Sequence, residues 1–437
     1  MSLPTGEVAP SLETFELASV VRAEVARALA AEESTAADPL RARAGFLVQQ
    51  ALEGLAAARV QEGRGPLRDE EEQAVHRLAL DMLFGLGMLQ RFVDDSEVEN
   101  IDVNGYDRVF VTYGDGRKVR VGAVASSDEE LVAIVRSAAA RFGLSERRFD
   151  AAQPELDLRL PDGSRLSAVM AVTERPVIDI RRHRLADLDL DALVSLGALD
   201  EGLAAFLSAA VQAKRNVLVS GAMNSGKTTL LRALAAEIPP GERIVTIEQS
   251  LELGLDRQDD RHPDCVAMEA RLANTEGQGA VTMAQLVRRS LRMNASRVVV
   301  GEVLGDEIIP MLNAMSQGRS GSMGTIHADS SAGVFRRIAA YAVQSPERLP
   351  LEATNLLIAG AIHYVVHLDV VPAAAGMRRH VASVREVVDA EGALVISNEI
   401  WRPGPGGSAV PGAPLSEASL RALVEAGYQP LGRARPW

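Results

Sequence analysis

One cysteine, Cys265, is present in 437 residues, so the chain has neither a disulfide framework nor a CxxC-type zinc site, and a reducing cytoplasm suits it. Aromatic residues are scarce at 4%, while the apolar and charged fractions, 47% and 24%, are those of a soluble globular protein. No uninterrupted apolar run is long enough to cross a bilayer. The start, Met1-Ser2-Leu3-Pro4-Thr5-Gly6-Glu7, has no basic segment leading into an apolar core, which predicts no signal peptide. Positive charge is in deficit. The formal net charge of −13 opposes a general grip on nucleic acid, whose phosphates would be repelled, although a local basic patch stays open. The expected location is therefore cytoplasmic, with any membrane association peripheral and made through a partner.

What is present begins with Gly221-Ala222-Met223-Asn224-Ser225-Gly226-Lys227-Thr228-Thr229. It reads G-x-x-x-x-G-K-T between the apolar run Asn216 to Ser220 and the helix former Leu230 to Glu237, the strand–loop–helix setting of a phosphate-binding P-loop. Gly221 and Gly226 let the backbone turn tightly, and the N–H groups of the loop and first helical turn face phosphate oxygens. Lys227 is expected to reach the β/γ-phosphates, and the Thr228 hydroxyl to help hold Mg²⁺. Asn224, Ser225, Gly226, Thr228 and Thr229 complete the expected ATP cradle.

The rest of the chain has three textures. Ser11 to Arg77 has helical spacing, as in Leu17, Val20, Val21, Val25 and Leu29, with breaks at Asp38-Pro39 and Gly63-Arg64-Gly65-Pro66. Such stripes read first as the core of a small bundle and second as a docking surface. Leu80 to Arg182 reads as an α+β domain: strands at Ile101–Gly105, Val109–Tyr113, Leu156–Leu160, Leu166–Val169 and Val177–Arg181, and a helix over Asp128–Phe142. Beyond Asp187, strands alternate with helices around the P-loop, which predicts an α/β domain with a mostly parallel sheet. From Arg402 the chain is rich in Pro and Gly, and a flexible linker is expected there, with one short helix near Glu417–Glu425. The boundaries drawn are a helical segment 1–78, an α+β domain 79–186, a P-loop domain 187–402 and a tail 403–437. No internal repeat is found.

Three further side chains bear on chemistry. Arg297 to Gly301 is a strand of β-branched residues that delivers Glu302 to its carboxyl end, where ligands of open α/β sheets bind. A carboxylate there can hold the water shell of Mg²⁺. Ile244 to Ile247 does the same for Glu248, so one acid serves the metal and the other polarises the attacking water. The Gly/Ser-rich stretch Gly318 to Asp329 carries His327, placed to hydrogen-bond a γ-phosphate and report its loss; a lone histidine is more often a structural hydrogen-bonder.

Taken in order, these segments resemble the secretion ATPases of type II and type IV machinery and their pilus relatives, most closely the CpaF-type ATPases of Tad (Flp) pili. Gly221 to Thr229 looks like the Walker A of that family and Glu242 to Glu248 like its acidic box. Arg271, Asn274, Glu276 and Gly277 stand where an R-x-x-N-x-E-G string occurs. Leu286 to Met293 with Val300-Gly301-Glu302-Val303 is similar to the approach to Walker B, and Gly318 to His327 to the His box. Leu86-Gly87-Met88-Leu89, Asp94 to Val98, Val103-Asn104-Gly105 and Leu160 to Arg165 resemble the domain that precedes the motor. Gln249, Leu304 and Arg319 depart from the family's Asp, Arg and His. The resemblance implies a RecA-like motor that hydrolyses ATP as a homo-hexamer beneath an inner-membrane platform protein, moving one domain against the other. It also implies cations brought to the nucleotide from the preceding domain, for which Arg165 and Arg181 are the candidates; the bland alternative for both is pairing with surface acids. A conjugative ATPase and a hydrolysis-silenced scaffold are the competing readings.

Overall fold

The computed structural model describes residues 12–30, 37–142, 148–182, 188–271, 273, 277–318, 320–373 and 376–430. The chain divides into two compact units, Met1–Arg184 and Leu185–Trp437.

The first unit opens with α1 (Leu12–Ala30), α2 (Ala37–Gln61), α3 (Asp69–Phe84) and the short α4 (Gln90–Asp94). Val21, Val25, Val48, Leu52, Val75 and Leu78 are buried together, which is the bundle core that helical spacing predicts. The expected break at Asp38-Pro39 falls inside the first turn of α2, where a proline's missing N–H removes no helical hydrogen bond. Next come β1 (Val98–Asn104), β2 (Val109–Tyr113), β3 (Lys118–Val121), α5 (Asp128–Phe142), β4 (Glu155–Arg159), β5 (Arg165–Val169) and β6 (Val177–Arg181). The sheet runs β3-β2-β1-β6-β5-β4 and is antiparallel throughout. Alternate residues such as Ile101, Val103, Leu166, Ala168, Ile178 and Ile180 point inward to the core shared with Leu131 and Val135 of α5. The sequence reading omitted β3. Lys118-Val119-Arg120-Val121 is an exposed, charged edge strand, which natural sheets use to discourage edge pairing.

The second unit contains α6 (Leu190–Ser195), α7 (Glu201–Gln212), β7 (Val217–Gly221), α8 (Lys227–Ala236), β8 (Ile244–Glu248), β9 (Cys265–Glu269), α9 (Met283–Ser290), β10 (Arg297–Val303), α10 (Ile308–Ser316) and β11 (Met323–His327). It ends with α11 (Gly333–Gln344), α12 (Leu351–Ala361), β12 (Tyr364–Ala373), β13 (Gly376–Glu391), β14 (Leu394–Pro403), β15 (Ala409–Pro411) and α13 (Glu417–Glu425). The strand order is β15-β14-β13-β12-β7-β11-β10-β8-β9. From β12 to β9 every pairing is parallel, and β13 to β15 form an antiparallel extension. The fold is thus α/β with a mostly parallel sheet, preceded by a helical and a sheet-bearing segment. β7 and β8 are buried at every position because two apolar layers, one on each face, enclose them.

The stretch expected to be a flexible linker is folded. β15 pairs with β14, and Trp401, Leu423 and Tyr428 join Phe206 of α7 in the core. The Phe206 and Trp401 rings lie 4.4 Å apart. Pro and Gly here shape a corner between β14 and β15 rather than a free tail, and the anticipated helix is α13.

Candidate functional site

Parallel pairing brings the carboxyl ends of four strands to one edge. Gly221 closes β7 and stands in register with His327 at the end of β11. Val300 of β10 pairs with Ile247 of β8, so Glu302 and Glu248 emerge on neighbouring strands. The P-loop spans the gap between β7 and α8. Gly226 occupies the left-handed region at φ 93° and starts α8 with no side-chain cap, leaving the first helical N–H groups to a ligand. Gly221 is required by close approach: a Cβ there would lie 2.5 Å from Ser225 Oγ and 2.6 Å from Leu368 O. Asn224 takes a positive φ of 60° without being glycine, a strained conformation that surrounding contacts must hold.

Three of the anticipated side chains form one chain of contacts. Lys227 Nζ donates to Ala222 O at 2.9 Å and lies 3.4 Å from His327 Nδ1. His327 Nε2 is 2.9 Å from Glu302 Oε1. Its two ring nitrogens thus face a carboxylate on one side and the P-loop ammonium on the other. Glu302 keeps 36% side-chain exposure and His327 30%, so both reach solvent where a phosphate would arrive.

Glu248 differs from Glu302. It is only 3% exposed, and its Oε2 accepts the backbone N–H groups of Glu252 at 2.7 Å and Leu253 at 2.8 Å. It lies across Gly301, where a Cβ would come within 2.9 Å of Glu248 Cγ, so the small residue before Glu302 makes room for the second acid. Cys265, half-buried at the start of β9, pairs with Ile244 at the other end of β8. Burial first, then the charges of Asp256, Glu248 and Asp264, push its thiol up to about 12, which makes it unreactive.

The residues fit a magnesium nucleotide. Ser225 Oγ is buried with no hydrogen-bond partner, an orphaned polar atom that a bound phosphate would satisfy. Among the described residues no cluster of three or more His, Cys, Asp or Glu is placed to hold a metal.

Sequence reasoning missed two positioning residues. Asn216, 1% exposed, accepts the N–H groups of Gly321 and Ser322 at 2.8 and 3.0 Å and donates to Met315 O and Ala361 O at 3.1 and 2.5 Å. It therefore fixes the root of β11 and, with it, His327. Arg379 of β13 donates through Nε to Asn224 O at 2.8 Å. Asn216 was visible only as the first residue of the apolar run that leads to the P-loop, and Arg379 lies far from the loop in sequence.

Arg165 and Arg181 belong to the first unit. They stand directly opposite each other on β5 and β6, with Arg159 opposite Arg165 on the other side. Arg165 lies 3.7 Å from Asp157, while Arg181 is exposed. Like charges in register oppose pairing, so this row is not explained by sheet stability. Asn274, Glu276 and Arg319 lie outside the described residues.

Comparison with known proteins follows the same outline. A putative conjugal transfer protein of Mycobacterium tuberculosis is 36% identical over 349 residues, covering 78% of this chain and 95% of that protein. The type IV secretion system protein VirB11 of Brucella suis is 31% identical over 327 residues, covering 68% of this chain and 88% of its own. The crystal structure of the VirB11 ATPase from Brucella suis in complex with sulphate aligns at 28% identity with a TM-score of 0.36, over 72% of this chain and 96% of that one. Residues 83–393, from the end of α3 to the tip of the β13–β14 hairpin, match the family described as Type II/IV secretion system protein, and the chain belongs to that family.

Proposed function

We propose that this chain is an ATP-hydrolysing motor that works as a homo-hexamer at the cytoplasmic face of a membrane machine, assembling a Tad/Flp-type pilus or secreting protein. The observation that carries the reading is the contact chain from Lys227 through His327 to Glu302 beside an uncapped helix N-terminus. It lines up a phosphate-binding cation, an imidazole and a carboxylate at one sheet edge.

In this reading the P-loop N–H groups and Lys227 hold the β- and γ-phosphates of ATP. Thr228 and Glu302 would hold Mg²⁺, which when bound would supply charge neutralisation to the phosphates. Water attacks the γ-phosphorus, the bond from that phosphorus to the β–γ bridging oxygen breaks, and ADP leaves with the electron pair. Glu302 orients the water and relays its proton to the released phosphate. Glu248, tied to the loop after β8, assists by holding the water's surroundings fixed. His327 senses whether the γ-phosphate is present. Arg165 and Arg181 supply cations from a separate structural unit, an arrangement worth about 10³–10⁵ in rate where it occurs. The helical and α+β segments form the first unit and the P-loop domain with its C-terminal strands and helix forms the second. No described helix is long and apolar enough to cross a membrane, so membrane contact would run through a platform protein.

A second reading, a conjugative type IV motor, is favoured by the names of the relatives, a putative conjugal transfer protein and VirB11. Steady-state phosphate release with and without Mg²⁺, run across protein concentration beside light scattering, tests the motor. Turnover that rises as hexamers form and collapses in Lys227→Ala supports it. Constant turnover in strictly monomeric protein, or turnover unaffected by loss of Lys227 or of both arginines, overturns it. Neighbouring genes for prepilins or for a relaxase separate the two cargo readings.

A further inference from the structure

The P-loop is gripped from two sides by cations of different origin. Lys227 reaches the carbonyl of Ala222 at 2.9 Å, and Arg379 reaches the carbonyl of Asn224 at 2.8 Å. Arg379 comes from the antiparallel extension: β12 pairs with β7 so that Leu368 lies beside Gly221, and β13 then sets Arg379 beside Val370. Its Cδ lies 3.8 Å from where a Cβ of Gly226 would be, so the side chain lies against the loop over two of its residues.

The consequence follows from peptide geometry. Among the described residues every peptide bond is trans, so a carbonyl and the next N–H point in opposite directions. With Asn224 O turned to Arg379, the Ser225 N–H turns the other way and meets Ala222 O at 3.4 Å across the loop. Lys227 Nζ points to the same Ala222 O, so this N–H faces the side of the loop that carries the lysine, where P-loop N–H groups receive phosphate. Asn224 must hold its left-handed φ of 60° for this orientation, a region that asparagine tolerates but does not hold without a partner for its carbonyl.

We propose that Arg379 is a positioning residue for nucleotide, holding the Asn224–Ser225 peptide with its carbonyl outward and its N–H inward so that the loop is preorganised for a polyphosphate. This rests on the ATP-binding reading above and adds to it that the C-terminal extension sets nucleotide affinity. A charge-assisted bond to a backbone carbonyl corresponds to about a tenfold change in binding.

The test uses the full chain, with magnesium and a non-hydrolysable ATP analogue in titration calorimetry, and ATP in steady-state kinetics. Arg379→Ala is expected to raise Kd and KM about tenfold while kcat moves by less than about threefold, because the loop's order and not the reacting groups is changed. Arg379→Lys, which keeps a donor and the charge, should recover most of the affinity. Arg378→Ala is the control for the extension itself, since Arg378 binds Ser408 Oγ at 3.0 Å and Gly406 O at 2.6 Å away from the loop; it should bind nucleotide as the parent does. Hydrogen exchange over residues 221–229 should accelerate in Arg379→Ala alone. Parental affinity in Arg379→Ala overturns the proposal, and so does equal weakening in Arg378→Ala, which would make the effect one of general packing. A parent chain that binds no nucleotide would overturn the ATP reading as well, so the two failures are distinguishable.

Discussion

His327 Nε2 stands 2.9 Å from Glu302 Oε1, and this contact joins the end of β11 to the end of β10 beside the P-loop lysine. Removing the charge of Glu302 should therefore separate binding from turnover. Glu302→Gln keeps the size of the side chain but, on the proposed motor reading, would weaken both its hold on a metal's water shell and its proton relay. ATP binding should stay within about threefold and turnover should fall by about 10² or more. Calorimetry beside phosphate release checks both. Unchanged turnover would place the reacting carboxylate elsewhere.

His327→Ala should act on coupling. The ring bridges Lys227 and Glu302, so its loss leaves the cradle standing but disconnects the carboxylate from the phosphate-binding cation. Nucleotide affinity is expected to remain within several-fold while pilus assembly, secretion or DNA transfer stops. Normal output in a His327→Ala strain would defeat this role.

Local signals carried much of the layout. The P-loop, the two strands that end in acids and the helix over Asp128–Phe142 are each written in consecutive residues, and each takes the expected form. The contacts that position the site are different in kind. Asn216 joins residues about a hundred positions away to one another, and Arg379 meets Asn224 only because β13 folds back beside β12. Pairings of that range leave no periodic trace. The Pro/Gly-rich stretch after Arg402 misled for a related reason: its turns serve β15 and α13, whose apolar residues find partners in α7, about two hundred residues earlier.

Asn216→Ala should cost stability and loosen the His-bearing loop. It would strand two buried N–H groups and two carbonyls, with a net loss of about 2–4 kcal/mol. A lowered urea midpoint, together with faster hydrogen exchange over 320–327, is the expected result. Asn216→Asp should not rescue it, because a carboxylate faces Met315 O and Ala361 O where the amide donates. Parental stability in either variant would show that water replaces the amide at no cost.

Arg297 and Glu242 form the buried ion pair at the other end of β10. Arg297 is fully buried and binds Glu242 twice, at 3.0 and 2.8 Å, with Lys214 adding a contact at 3.1 Å. Burial alone would raise the Glu242 carboxyl, but the hydrogen bonds and charges of Arg297 and Lys214 outweigh it and hold it below its usual range. Glu242→Ala leaves a buried guanidinium without its anion and should destabilise the unit by about 3–5 kcal/mol. The double variant Glu242→Leu, Arg297→Met should recover most of that loss, since no buried charge remains. A single variant as stable as the parent would mean that solvent reaches Arg297.

The last expectation concerns acid. His363 Nδ1 accepts the N–H of Asn216 at 3.0 Å, a bond that only the neutral ring can make. Burial first, and then the charge of Arg215, bring His363 down from 6.5 to about 4. The sign follows directly. Above pH 6.5 the ring is neutral in both folded and unfolded chains, and its contribution to stability is complete. Between pH 6.5 and about 4 the unfolded chain binds a proton that the folded one refuses, so stability falls as pH falls. Below about 4 both states carry the proton and the loss is complete, on the order of 3 kcal/mol. His363→Gln keeps an acceptor for Asn216 but cannot titrate. Urea unfolding at pH 7 and pH 4.5 should therefore show a smaller acid penalty in His363→Gln than in the parent. Equal penalties would assign the acid sensitivity of this unit to other groups.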